Sequence, residues 1–323
     1  MDVVMRYYNL NRIFLLCNGL WPYQTNMSKK IHLVCILFVF MQFLIFQSMI
    51  FITVDFSILL LLEVLSTLFI SLVFVYKYGT IYFNMDKVNA SDMIIRSIDI
   101  TVKHHQKISR LIATQVKLFF ERIQYDWDTL KDPVEYEIMK RQANIAQWYT
   151  KYFTLIMYVI TFLFITMHYV PLLLDAVVPL AKPRPRRILV VGEMFIDQHK
   201  YFHMVLLNIT ISSLIGMTTV IAAETLLMVL VQHVCGLLKV TSYRITRAFD
   251  NDCSPVLRHG KKCIVCTKLA SAVNIHRSAI MFADCVRDCF GISYLILILF
   301  GVASLSINLY RVSSIRFFFM ESL

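Results

Sequence analysis

The sequence is poor in charged residues and in the two residue types that mark turns and loops. Only 16% of its 323 residues are charged, and it has 8 glycines and 7 prolines. Soluble domains carry about 25% charged residues, and collagen-like or disordered chains are far richer in glycine, proline or polar residues. These scarcities exclude disordered and collagenous chains and argue against a soluble protein. Instead, 58% of the residues are hydrophobic and 24 are phenylalanine, which indicates a membrane protein.

The few glycines also lack the spacings that support common enzymatic chemistry. No GxGxxG or GxxxxGK pattern occurs, so neither a dinucleotide fingerprint nor a phosphate-binding loop is predicted. No nucleophile elbow occurs either. We therefore predict that the protein is not an enzyme and uses no cofactor.

Eight cysteines raise the question of a metal site. Cys263 and Cys266 form a CxxC pair near Cys253, His259 and His276, but the sequence has no second ligand pair at zinc spacing. The topology derived below places this segment in the cytoplasm, where thiols stay reduced. We predict neither a metal site nor disulfides there.

Long uncharged runs dominate the chain. A bilayer core of about 30 Å requires about 20 apolar residues in a helix. The second and fourth runs each contain one acidic residue, and the other three contain no charge. We predict an all-α polytopic membrane protein with five transmembrane helices and long cytoplasmic helical extensions. The predicted spans are residues 31–54, 56–76, 152–170, 201–231 and 289–310.

Basic residues are distributed unequally between the two sides that these spans define. One side receives 25 Lys and Arg residues and the other 7, so the net charge of +11 reflects topology rather than nucleic-acid binding. The positive-inside rule then places the N-terminus in the cytoplasm and, with five spans, the C-terminus outside. The sequons at Asn26, Asn89 and Asn208 fall in the cytoplasm or within a span, and we predict that none carries a glycan.

Two acidic residues lie within predicted spans. Glu63 is in the outer part of the second span and Glu224 is toward the inner end of the fourth. Carboxylates in a membrane face protein or a water-filled cavity, and Glu63 is expected to point into an outer cavity. The alternative for both is a buried hydrogen bond to a Ser, Thr or Tyr. No Lys or Arg within a predicted span is expected to pair with either, which argues against a proton relay.

Several short segments along the chain form a recognisable series. They are Asn11-Arg12, Gly19-Leu20-Trp21-Pro22, Asp126-Trp127 with Glu135 to Met139, Gln232 to Leu237 with Tyr243-Arg244, and His276 to Phe282 with Phe290. In their order and spacing, across nearly the whole chain, these segments resemble the insect odorant receptor family, whose members are seven-span ligand-gated cation channels with a cytoplasmic N-terminus.

Two features depart from that family. The chain has five predicted spans rather than seven, as if truncated at its C-terminus, and residues 89–115 have no counterpart in the family pattern. Either an unspliced insertion or a basic surface helix accounts for residues 89–115.

The resemblance implies an odorant receptor of the plasma membrane of olfactory sensory neurons. It implies a ligand-binding subunit that assembles with a co-receptor into a tetrameric cation channel gated by small volatile organic ligands. The ligand cavity would lie in the outer half of the membrane. Helical spacing nominates residues on three spans for its lining. Each nominated residue could instead face lipid or pack between helices. The nominated residues are Leu60, Glu63, Thr67, Phe162, Thr166, Tyr169, His203, Leu207 and Thr210.

Two other functional interpretations stay open at this point. A small-solute transporter would show internal repeats and helices broken by Gly or Pro near the membrane midplane, and the sequence shows neither. A truncated, non-functional receptor fragment is the second alternative.

Overall fold

The computed structural model describes residues 2–53, 55, 57–86, 115–177, 201–250 and 264–321. Within these ranges the chain is helical and contains no strand, which confirms the predicted all-α class. All but the last residue of the predicted insertion 89–115 lies outside the described residues. The helices are α1 (Asp2–Tyr7), α2 (Asn9–Cys17), α3 (Asn26–Thr53), α4 (Ile58–Asp86), α5 (Gln115–Asp128), α6 (Pro133–Val177), α7 (Phe202–Asp250) and α8 (Ile264–Glu321).

Five of the described helices are long and apolar enough to cross a membrane, namely α3, α4, α6, α7 and α8. Each of the five predicted spans falls on one of them. The predicted extensions are present as well, since α6 begins at Pro133, α7 continues to Asp250 and α8 begins at Ile264, all well beyond the apolar segments. These extensions project from the end of the bundle that carries the N-terminal helices.

Local capping explains where two of the spanning helices begin. The Asp132 carboxylate accepts the Val134 N–H at 2.9 Å, and Pro133 occupies the first turn, where its missing N–H costs nothing. Similarly, the Ser57 hydroxyl accepts the Leu60 N–H at 3.1 Å at the start of α4. Because this cap lies close behind the end of α3, α3 and α4 form a tight helical hairpin.

The segment between α2 and α3 turns sharply at Gly19, which has a φ of +67°. A Cβ at this position would lie 2.3 Å from the Cβ of His32, so both the backbone conformation and the space require glycine. The turn buries Leu20 and Trp21 against the rest of the bundle, with the Trp21 ring 5.2 Å from that of Phe120 on α5.

Asn18 fixes this turn to the spanning helices. Its Oδ1 accepts a hydrogen bond from the Thr219 hydroxyl of α7 at 2.8 Å, and its backbone carbonyl accepts one from the Tyr78 hydroxyl of α4 at 3.4 Å. Its own amide donates to the Phe14 carbonyl at 2.8 Å. One buried residue, through its side chain and its backbone carbonyl, therefore connects the N-terminal helices to both α7 and α4.

Helix α7 lies at the centre of the bundle. It packs against α2, α3, α4, α6 and α8, and half of its most apolar segment is buried, compared with 6% for α8. The surrounding helices expose apolar faces that suit lipid. Burial is concentrated at the end of the bundle formed by α1, α2, α5 and the helical extensions.

Candidate functional site

A buried charged triad joins α4, α7 and α8. The Lys77 ammonium forms an ion pair with Glu224, the Tyr294 hydroxyl donates to Glu224 Oε2 at 2.7 Å, and Lys77 Nζ lies 4.1 Å from the centre of the Tyr294 ring. Glu224 thus has the tyrosine hydrogen bond that sequence analysis gives as the alternative, and in addition a basic partner from just beyond a predicted span, which the sequence did not predict. Lys77 is the first residue after the predicted span, but α4 continues through it to Asp86, so its side chain lies within the bundle.

Glu63 also has a basic partner that lies just beyond a predicted span. Its Oε1 lies 2.9 Å from Nη2 of Arg311 on α8, and both side chains are partly exposed. Arg311 follows the predicted fifth span directly, and α8 continues through it without a break. The carboxylate at this end of α4 is thus held by α8.

Further contacts between α4 and α8 lie between these two ion pairs and just beyond the one at Lys77. The Ser66 hydroxyl donates to Asn308 Oδ1 at 2.9 Å, and the Thr80 hydroxyl donates to Ser293 at 3.3 Å. Phe300 packs against aromatic rings of α4 between them. Polar contacts between membrane helices contribute about 0.6 kcal/mol each on average. Together they attach α8 to α4 along its length, although most of the apolar face of α8 is exposed.

A second buried polar cluster lies where α5 meets the extensions of α7 and α8. Asp126 accepts from His233 Nε2 and from Arg122 Nε, both at 3.0 Å, and Arg122 also donates to Ser278. The His233 ring lies 5.3 Å from that of Phe282. These residues come from three of the segments that carry the family resemblance.

Nine residues after Asp126, at the start of α6, Glu135 binds Arg244 with both carboxylate oxygens, at 2.5 and 2.7 Å. Arg244 also donates to the Ser271 hydroxyl at 2.7 Å. The start of α6, the end of α7 and the start of α8 are therefore clamped together. Buried, bidentate pairs of this kind order the ends of helices that have left the membrane.

The described residues contain no group of three or more His, Cys, Asp or Glu side chains that could hold a metal ion. Within the CxxC segment, Cys266 and His276 are described, while Cys253, His259 and Cys263 lie outside the described residues.

The structure places the nominated ligand-binding residues on α4, α6 and α7. On α6 and α7 they are offset by one residue from the buried face of the helix. Six of the nine are partly buried, whereas Phe162, His203 and Leu207 are exposed to the surroundings of the single chain, Phe162 by 68%. The six partly buried residues are Leu60, Glu63, Thr67, Thr166, Tyr169 and Thr210.

The inward faces of α6 and α7 lie one residue before the nominated ones. Around the nominated positions the buried residues are Thr161 and His168 on α6, and Phe202, Val205, Leu206 and Ile209 on α7. The buried positions repeat with the same spacing as the nominated residues but are offset by one residue, or about 100° around the helix. Apolar side chains cannot reveal this direction because lipid-facing residues are as apolar as packed ones. The polar residues Thr161 and His168 carry the signal that sequence analysis missed.

Several polar atoms are buried without a hydrogen-bond partner in the half of the bundle that holds the nominated residues. They are Gln47 Nε2 on α3, His168 Nε2 on α6 and Asn208 Oδ1 on α7. Each residue lies within about three turns of the same end of the bundle. A buried polar atom without a partner costs free energy, and none of the described residues offsets that cost for these three atoms.

Comparison with known proteins gives one family and one fold. The family model described as 7tm Odorant receptor matches residues 57–320. The structure of the insect olfactory receptor OR5 from Machilis hrabei matches with a TM-score of 0.59 and 13% sequence identity, covering 95% of this chain and 71% of that chain. At that identity the structural likeness shows the fold alone. No curated protein matches the sequence.

Proposed function

This chain belongs to the 7tm odorant receptor family, and we propose that it is the odorant-binding subunit of a heteromeric cation channel completed by an odorant co-receptor. The observation that carries the proposal is the family match over residues 57–320, which takes in four of the five spanning helices. The receptor would act in the plasma membrane of olfactory sensory neurons, in the perception of smell and the signalling that follows. Its partners would be the co-receptor in a tetramer, membrane lipid and a small volatile organic ligand.

The proposed orientation places the N-terminus in the cytoplasm and the C-terminus outside. It is supported by the 25 basic residues assigned to one side against 7 on the other. The end that carries α5 lies in water in this orientation, as its exposed ion pairs Lys117–Glu121 and Lys140–Glu137 require. The clusters around Asp126 and Glu135 would then form a cytoplasmic base for the bundle.

The proposed ligand site lies in the outer half of the bundle, between α4, α6 and α7. The six partly buried nominated residues supply its walls, and the unpartnered atoms of Gln47, His168 and Asn208 supply polar character. Small-molecule sites are mostly apolar, with a few polar groups that set orientation. On this proposal the exposed Phe162, His203 and Leu207 contact lipid or a neighbouring subunit rather than ligand.

The triad of Lys77, Glu224 and Tyr294 offers a route by which ligand binding could reach α8. Helix α4 carries nominated ligand residues at one end and Lys77 at the other, and Lys77 contacts both α7 and α8. A ligand shifts a conformational equilibrium only through different contacts in the two states. We infer that closing α4 and α7 around an odorant changes the packing at this triad and so biases the channel toward opening.

The direct test is to express the full chain with an odorant co-receptor and to record currents evoked by a panel of volatile alcohols, esters, ketones and aromatics. Cells with the co-receptor alone are the control, and surface labelling of the chain measures delivery to the membrane. Odorant-evoked current that depends on the chain is expected. Surface-expressed chain that yields no current with any compound would contradict the proposal and favour the fragment interpretation.

A further inference from the structure

His168 presents a buried hydrogen-bond acceptor that nothing in the described protein uses. The residue is 2% exposed, and its Nδ1 lies 2.9 Å from the carbonyl oxygen of Phe164. A carbonyl oxygen only accepts, so Nδ1 carries the hydrogen in this contact. The neutral ring then has a lone pair at Nε2, and Nε2 is buried without a partner.

A second unused acceptor lies at the same depth on the neighbouring helix. The hydrogen bond between the Tyr158 and Thr218 hydroxyls, 3.1 Å long, fixes the register of α6 against α7. His168 and Asn208 each lie ten residues outward from that bond, about 15 Å along their helices. Asn208 Oδ1 is also buried without a partner. Two helices that pack together thus place two free acceptors at one level.

The nearby hydroxyl groups cannot serve these acceptors, because they are already engaged by their own helices. The Thr161, Thr166 and Thr210 hydroxyls donate to the carbonyl oxygens four residues earlier, at 2.8, 2.7 and 2.8 Å. The Phe164 ring packs edge-on against the His168 ring at 4.8 Å and contributes an apolar wall. These three hydroxyls are therefore not available to His168 or Asn208, and no described residue donates to either acceptor atom.

We propose that His168 Nε2 accepts a hydrogen bond from the hydroxyl group of the ligand, with Asn208 Oδ1 at the same depth as a second acceptor to which that one proton can turn, so that the receptor selects volatile alcohols and phenols. This inference rests on the proposed function. Ethers, ketones and esters offer only acceptors and leave both atoms unsatisfied. Amines are ammonium ions at neutral pH and would require a carboxylate, but the nominated acid, Glu63, is already paired with Arg311.

A hydrogen bond to a buried acceptor discriminates strongly, since the competing ligand leaves that acceptor desolvated and unpaired. We expect primary octanol to bind at least about tenfold more tightly than its isomer heptyl methyl ether. The two compounds have the same atoms, and only the alcohol can donate. Direct binding to the purified full chain in lipid nanodiscs measures this ratio without depending on channel opening.

Substitutions at His168 and Asn208 assign the preference to these side chains. His168→Phe is expected to bring the ratio of the two affinities to about one while leaving ether binding intact, which also shows that the variant is folded. His168→Gln, whose amide oxygen can accept, should keep part of the preference, and Asn208→Leu should reduce it. His276→Phe is the control, because His276 is exposed on the extension of α8.

Equal affinities of the alcohol and the ether for the wild-type chain would overturn the inference, as would a preference that survives both His168→Phe and Asn208→Leu. These outcomes are separate from the current recordings proposed above. A chain that binds alcohols selectively but conducts no current with the co-receptor would retain this site and lose the proposed channel function. A chain that conducts in response to alcohol and ether alike would retain the proposed channel function and lose this site.

Discussion

Lys77 on α4 and Glu224 on α7 form an ion pair inside the helix bundle, 147 residues apart in sequence. The Lys77 side chain is 7% exposed and the Glu224 side chain 29% exposed, and the Tyr294 hydroxyl completes the contact. Two charges inside a membrane bundle are tolerated because each neutralises the other. Removing one member leaves the other charge buried without compensation.

Lys77→Met is therefore expected to lower the stability of the purified chain by about 3–5 kcal/mol. The double substitution Lys77→Met with Glu224→Leu removes both charges and should recover most of that loss. Thermal unfolding in detergent, followed by loss of tryptophan fluorescence or by aggregation, measures both. If the single and double variants unfolded at the same temperature, the ion pair would not be the cause.

The Asp126 cluster gives a second stability prediction on the side of the N-terminus. Asp126→Ala leaves Arg122 and His233 buried without their shared acceptor and is expected to cost about 3 kcal/mol and reduce surface expression. Asp128→Ala, two residues away and exposed, is the matched control and should express like the wild-type chain. Surface labelling of both variants decides the matter, and equal expression would mean that the cluster is dispensable.

Substitution of Gly19 tests the structure of the turn after α2, and Gly301 on α8 provides the control. Gly19→Ala places a side chain on a residue with a φ of +67° and against His32, so a loss of about 1–2 kcal/mol is expected. Gly301→Ala on α8 meets nothing within 4 Å and should leave stability unchanged or raise it slightly. Thermal unfolding of the two variants compares them directly. Equal effects would show that neither backbone conformation nor contact constrains residue 19.

The proposed orientation predicts that Asn26 carries no glycan although it begins a sequon. Glycosylation occurs on the luminal side of the membrane, and a cytoplasmic N-terminus never reaches it. Treatment of the expressed chain with a glycosidase should leave its mobility on a gel unchanged. An epitope tag at the N-terminus should be detected only after permeabilisation of the cells. A glycan at Asn26 would show that the N-terminus lies outside and would contradict the proposed orientation.

Much of the fold is predictable from sequence because it depends on local properties. The five spanning helices follow from the length of uncharged runs, and the start of α6 follows from Asp132 and Pro133. The helical extensions follow from the mixed polar segments beside those runs. For the candidate site, the three helices and the spacing of its residues could be predicted in the same way, since both depend only on the period of the helix.

The direction of each helix face was decided only by tertiary structure. His168 lies inward and Phe162 outward, although both belong to one apolar segment, because hydropathy is the same for a lipid neighbour and a protein neighbour. The partners of Glu63 and Glu224 could not be predicted for a related reason. Arg311 and Lys77 lie just beyond the apolar runs and far away in sequence, and only the packing of α4 against α7 and α8 brings them within reach. Sequence determined which segments enter the membrane, and packing determined what each side chain meets there.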